Sequence, residues 1–249
     1  MSGALLGLVP GANFGAVGMK LGDRSRVFFG MLSANGDTLT ALSPEGMAAK
    51  GAAMGYTMEP KKGWKVSFTA SALNEKNMML GSTSSGYLGL SPTALTASFG
   101  IGTNIDLGEG YQLGFDGSMA TTDATHNSNS LITNTSRLTS GAFGMAFSKA
   151  GLVTDTDTLG AGIRKPMRIY AGTATAAVPT GTDAFGNPIV TSMRASLVPS
   201  GSETDFQIGY DRPLGTAMST GLSLVYRHDA DNVAKARDAA ALVKFKAGF

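Results

Sequence analysis

The chain has 249 residues, with 20 Lys and Arg against 18 Asp and Glu, a formal charge of +2 and no cysteine. The near balance of charge gives no indication of a strongly basic nucleic-acid-binding surface, and the absence of cysteine excludes disulfide frameworks and cysteine-ligated zinc or iron–sulfur sites. Charged residues make up only 15% of the chain while glycine contributes 34 residues, so small side chains stand where a soluble domain would carry charge.

No segment approaches the ~18 consecutive apolar residues of a spanning helix, and the beginning of the chain lacks a basic segment followed by an apolar run. An envelope protein needs such a leader, so the sequence reads as a mature form or a piece of one. Its length suits one all-β domain. Residues 1–22 stand before the first predicted wall strand. Phe14, Ala16 and Gly18 alternate there with Gly15, Val17 and Met19, and the segment reads as a linker, a lumen segment or an additional strand. Its six glycines and Pro10 make it a poor helix.

From there the hydrophobic period is two. Strands are predicted at 23–35, 46–59, 62–75, 92–105, 110–122, 137–150, 156–169, 172–180, 188–199, 202–213, 216–229 and 235–249. Trp64, Val66, Phe68 and Ala70 oppose Lys65, Ser67, Thr69 and Ser71, and Leu95, Ala97, Phe99 and Ile101 oppose Thr96, Ser98, Gly100 and Gly102. Tyr111, Leu113, Phe115 and Met119 oppose Gln112, Gly114, Asp116 and Ser118, and Phe143, Met145 and Phe147 oppose small residues. Phe206, Ile208 and Tyr210 oppose Asp205, Gln207, Gly209 and Asp211, and the last strand sets Ala241, Val243, Phe245 and Phe249 against Leu242, Lys244 and Lys246.

A soluble sandwich would put Lys, Glu and Thr on the face opposite its core, whereas here that face is rich in Gly, Ser and Ala. A bilayer-spanning barrel has the reverse sidedness, with apolar residues toward lipid and small or polar residues inside. The predicted fold is therefore an all-β, antiparallel, up-and-down transmembrane β-barrel of twelve strands over 23–249. Trp64, Tyr111, Tyr210 and Tyr226 stand near strand ends, where an interfacial girdle needs them. With both ends of the barrel periplasmic, the connections 36–45, 76–91 and 123–136 fall outside, and 59–62, 107–110 and 150–155 become inner turns. The segment 181–187 is then a long inner turn.

Three stretches resemble the C-terminal translocator barrel of autotransporters, in particular those with subtilisin-like serine peptidase passengers. They are NEKNMMLGSTSSGYLGL at 74–90, DTLGAGIRKPMRI at 157–169 and LVPSGSETDFQIGYDRPLG at 197–215. The resemblance implies a barrel of the Gram-negative outer membrane, inserted by the barrel-assembly machinery and supporting secretion of an N-terminal passenger. It makes outer-membrane lipid a partner and Phe245 with Phe249 the assembly signal. No peptidase passenger is present in this sequence, so no catalytic set is carried over.

The remaining chemistry is sparse, and no catalytic, cofactor or metal residue is assigned. His228 lies among Tyr226, Arg227, Asp229 and Asp231, types that could serve a rim catalyst, although adjacent strand residues point to opposite faces. His126 lies in a polar tract that reads as a solvated loop. Gly100-Ile101-Gly102 and Gly160-Ala161-Gly162 lack the following helix of a phosphate loop. The 13 methionines read as lipid-facing or gap-filling side chains rather than as a copper site, with Met78 and Met79, adjacent in an external loop, the pair that stands apart.

Lys65, Asp116, Arg164, Asp205, Asp211, Arg227, Lys244 and Lys246 are predicted to line the lumen, either as a hydrated passage or as a salt-bridge network closing the barrel. The leading function is thus a non-enzymatic translocator and anchor. A stand-alone porin or structural barrel, a rim enzyme at His228 and a soluble β-domain are the competing readings.

Overall fold

The computed structural model describes residues 13–35, 47–80, 93–126, 130–215 and 218–247, and most of these are β-strand. In chain order the strands are β1 (Asn13–Gly22), β2 (Ser25–Asn35), β3 (Ala48–Lys61), β4 (Trp64–Lys76), β5 (Thr93–Gly108), β6 (Tyr111–Ala124) and β7 (Ile132–Thr135). They continue with β8 (Leu138–Ala150), β9 (Thr158–Ala171), β10 (Thr173–Thr182), β11 (Pro188–Ser196), β12 (Thr204–Pro213), β13 (Met218–His228) and β14 (Arg237–Ala247).

Eleven strands form one antiparallel up-and-down sheet in the order β1-β2-β3-β4-β5-β6-β8-β9-β12-β13-β14. All twelve predicted segments are strands, but two of them do not enter this wall. The segments 172–180 and 188–199 are β10 and β11, which pair with each other and with β7 in a separate three-stranded sheet. β10 continues β9 past Gly172, so the hairpin extends the wall strand beyond the main sheet. The segment 181–187 is consequently the tip of a projecting hairpin and not an inner turn. It is built on Asp183, whose carboxylate accepts the N–H groups of Phe185 and Asn187 at 2.8 Å each.

Residues 13–22 pair with β2 along their whole length, which makes this part of the leading segment an additional strand. Residues 1–12 and Phe249 lie outside the described residues. Among the described residues β1 and β14 are each paired on one side only, and no pairing closes the sheet into a barrel.

The connections sort by length onto two ends. At one end lie 23–24, 62–63, 109–110, 151–157 and 214–217; at the other lie 36–47, 77–92, 125–137, 172–203 and 229–236. The short turns use residues that tolerate positive φ. Glu109 and Gly110 have φ of 51° and 80°, the two-residue geometry that suits the right-handed twist of a hairpin. The 151–157 turn is organised by Asp157, which is fully buried and accepts the N–H groups of Leu152 and Val153 and the hydroxyl of Tyr210.

The two faces differ as the period-two pattern requires. Thr96, Thr122, Glu75 and Ala94 on the inner face are almost completely buried, while Val17 (76%), Met31 (73%) and Met119 (66%) on the outer face are open. Inner-face hydroxyls bond across strands, Thr96 to Thr122 at 2.8 Å and Ser71 to Ser98 at 2.7 Å.

Toward the long-connection end this face is apolar and filled by the chain itself. Met78 packs with Leu32, Ala34, Met47, Ala49 and Leu73, while Met79 packs with Ala94 and Leu138. The first residues of this connection are held by Glu75, which accepts the N–H of Leu80 at 2.9 Å. The two methionines are thus core residues on the inner face and not members of an exposed loop.

Candidate functional site: the charged inner face

The strand pairings place all eight predicted lumen residues on one face. Lys65 is opposite Asn104, which shares its face with Gly102, and Gly102 pairs with Asp116. Asp211 pairs with Gly221 and Gly221 with Lys244, while Lys246 pairs with Ser219. Arg164, Asp205 and Arg227 are consecutive members of a single lateral row.

That row crosses the entire wall with one residue from each strand: Lys20, Arg26, Thr57, Ser67, Gly102, Asp116, Gly144, Arg164, Asp205, Arg227 and Asp238. From Arg164 onward the charges alternate strictly, so each side chain meets an opposite charge on the neighbouring strand. The row starts two residues from the short-turn end of β1 and finishes on the second residue of β14, at the long-connection end. A stagger of this size is the mark of strands tilted to the axis of the sheet.

Arg227 anchors the crown of the row. Its guanidinium lies 3.7 Å from Glu203 and 3.2 Å from Asp231 and also bonds Asp238. Glu203 is 7% exposed, so the cation compensates a carboxylate that is nearly out of water. The same corner is tightened by Gly201, which donates its N–H to Asn232 at 2.8 Å, and by Asp229, which accepts the N–H groups of Lys235 and Ser202. These two backbone donors hold the Asp229 carboxyl below its usual range against its burial, helped by the charges of His228 and Arg168. One oxygen of Asp205 is buried with no hydrogen-bond partner among the described residues.

The lower part of the face is roomier. A recess of about 400 Å³ is bordered by Lys65, Thr57, Asn104 and Asp116, and another of about 280 Å³ by Asp116, Arg164, Asp205 and Gln207. Glycines make room for these carboxylates: a Cβ on Gly144 would come within 2.5 Å of Asp116, and one on Gly221 within 2.3 Å of Asp211.

The rim cluster separates as strand alternation demands. Arg227 is in the inner row, whereas Tyr226 and His228 belong to the outer face, and His228 Nδ1 lies 3.6 Å from Asp229. His126 is not a free loop side chain. Its Nε2 accepts the N–H of Thr135 at 2.6 Å and so ties the end of β6 to β7. No cluster of three or more metal-ligating His, Asp or Glu side chains occurs among the described residues.

The outer face carries aromatics in two bands. Tyr56, Trp64, Tyr111 and Tyr210 stand toward the short turns, and Tyr170 and Tyr226 toward the long connections. Lys149 lies over the Tyr111 ring at 4.5 Å and also donates to the Glu109 carbonyl, an arrangement suited to a polar boundary. Between the bands the exposed side chains are apolar, including Phe99, Ile101, Phe143, Phe147, Ile208 and Leu222.

No protein-family model, curated protein or solved structure matches the chain.

Proposed function

We propose that this chain is an outer-membrane β-barrel acting as the translocator and anchor of an autotransporter, without catalytic activity of its own. The reading as a membrane wall rests on sidedness: an exposed apolar belt between two bands of aromatics outside, and a small, hydroxylated and charged face inside. The eleven wall strands have 10 to 16 residues, enough for tilted crossing of a bilayer, which takes about 9–11. Short turns on one end and long connections on the other fit the periplasmic and external ends of such a barrel.

One observation favours translocation in particular. β1 starts at the long-connection end and β14 finishes at the short-turn end, so a passenger placed before β1 joins the wall on the external side. The three stretches resembling autotransporter barrels support the same reading. In it the inner row offers a polypeptide hydrated, alternating charge instead of an adhesive apolar surface.

The competing reading, a stand-alone structural barrel, is favoured by the packing of Met78 and Met79 into the inner face, which narrows any passage at the long-connection end.

Membrane flotation followed by gel mobility with and without boiling tests the wall. A membrane-bound band that shifts on heating is expected, and a soluble, unshifted protein overturns the assignment. An epitope placed before residue 13 tests the translocator. Cleavage of the epitope by protease added to intact cells is expected, and a protected epitope on an inserted barrel leaves the structural barrel.

A further inference from the structure

The outer face between β8 and β14 is not evenly filled. On β14, Ala239 and Ala241 pair with Tyr226 and Leu224, and on β9, Ala161 pairs with Ile208. These small side chains beside large ones leave an apolar trough of about 780 Å³, walled by Met145, Ile163, Phe206, Leu224 and Tyr226. Tyr226 and Phe206 form one flank, with their rings 6.4 Å apart.

One step further toward the long connections, on the same face, the residue types change. Lys165 follows Ile163 at a spacing of two, Thr204 precedes Phe206, and His228 follows Tyr226 and pairs with Arg237. Arg168, in register with Gly141 on the outer face, lies over the Tyr170 ring and donates to the Pro199 carbonyl at 3.1 Å.

Lys165, Arg168 and Arg237 have no carboxylate within ion-pair distance among the described residues. Asp229, an acid of this corner, lies beside His228 and has its oxygens engaged by backbone N–H groups. Nearby on the same end, Arg137 by contrast is paired with Asp123 at 2.9 Å. The field of Asp229 reaches Arg168 and His228, whereas Lys165 and Arg237 stand above the trough without an ion pair among the described residues.

We propose that this trough and its rim form a binding site for a membrane lipid with a phosphate-bearing headgroup. The acyl chain lies in the trough against Ile163, Phe206 and Tyr226, and the phosphate lies between Lys165 and Arg237 with His228 beside it. The two cations stand on strands three spacings apart, about 14 Å along the sheet, a gap that two long side chains converging on one headgroup can bridge. Charge complementarity selects an anionic lipid over a zwitterionic one, and the trough selects a lipid over a free anion. The site rests on the outer-membrane reading, because only that reading brings acyl chains to this face.

The full chain is folded into phosphatidylcholine vesicles with and without phosphatidylglycerol, extracted gently, and its retained lipids are counted by native mass spectrometry. Retention of phosphatidylglycerol over phosphatidylcholine is expected. The variant K165Q/R237Q lowers that preference about 25-fold, taking roughly 1 kcal/mol, or fivefold, for each basic residue at a membrane surface. The variant A239F fills the trough, keeps the charges and loses retention of both lipids, while added inorganic phosphate displaces nothing.

Equal retention by K165Q/R237Q, unaltered retention by A239F, or displacement by phosphate alone overturns the lipid site. Failure of the wild-type chain to enter either kind of vesicle is a different result, which overturns the membrane reading itself.

Discussion

A glycine next to a bulky or charged partner recurs on the inner face, and the register explains it. Asp116 faces Gly144, Asp211 faces Gly221 and Phe28 faces Gly55, where an added Cβ would come within 2.0 Å of the ring. A face that must hold charge and still pack laterally alternates large with absent side chains. At most of these positions the obstacle is a side chain that can move aside. Gly201 differs, because a Cβ there would come within 2.6 Å of the Ala234 nitrogen and 2.7 Å of the Val233 carbonyl carbon. Gly201→Ala is expected to destabilise the crown around Arg227 by about 1–3 kcal/mol, read as a lowered urea midpoint in detergent. An unchanged midpoint would show that the backbone of 233–234 yields freely. The eight charged positions were legible from alternation alone, because period two assigns a face without any knowledge of partners. The role of His126 was not, since its anchor, Thr135, is nine residues away in a strand only four residues long.

The short-turn end offers a test of how one turn is held. Burial opposes ionisation of Asp157, but the Tyr210 hydroxyl and the N–H groups of Val153, Leu152 and Thr154 outweigh it and keep the carboxyl below its usual range. A group whose pKa is lower when folded stabilises fully above its unfolded value, about 3.9 for Asp, and loses that contribution as pH falls through the folded value. Protection of the Leu152 and Val153 amides from hydrogen exchange, corrected for intrinsic rate, is therefore expected to collapse below about pH 4. Asp157→Asn should give weaker protection that is flat over the same range, and an identical pH profile in the variant would remove Asp157 as the cause. β10 and β11 are where the strands depart from twelve in one wall. Alternation runs through 172–180 and 188–199 as it does elsewhere, and it carries no information about which sheet a strand joins. The division occurs at Gly172, where the Leu138 side chain occupies the space of a Cβ and the strand leaves the wall.

Over the whole molecule, eleven wall strands place the two edges, β1 and β14, in the same direction. Closure of the wall on itself then requires either a parallel edge pair or one more strand running against both. Sidedness, strand lengths and the turns of the first half were readable in the sequence, because each is a local property, whereas the long 172–203 connection was not. The occupation of the inner face by Met78 and Met79 was not, because it depends on where a connection folds back. Replacing both by serine, M78S/M79S, removes apolar packing from two clusters at the long-connection end. In planar bilayers the variant should conduct ions more readily than the parent, and equal conductance would locate the constriction elsewhere.

The tilted row of charge has a consequence for anything that moves along the axis of this wall. Because each strand presents its member of the row at a different height, a lateral pattern becomes a vertical timetable. Along the row itself, a chain segment travelling from the short turns would encounter Lys20 and Arg26 first, then Asp116, then Arg164 and Asp205 in close succession, and finally Arg227 with its three acids, while Lys65, Asp211, Lys244 and Lys246 stand near the short-turn end outside the row. Sheet geometry alone would thus give the row a direction, from a cationic foot to an acid-rich head, written in the order in which its charges are met.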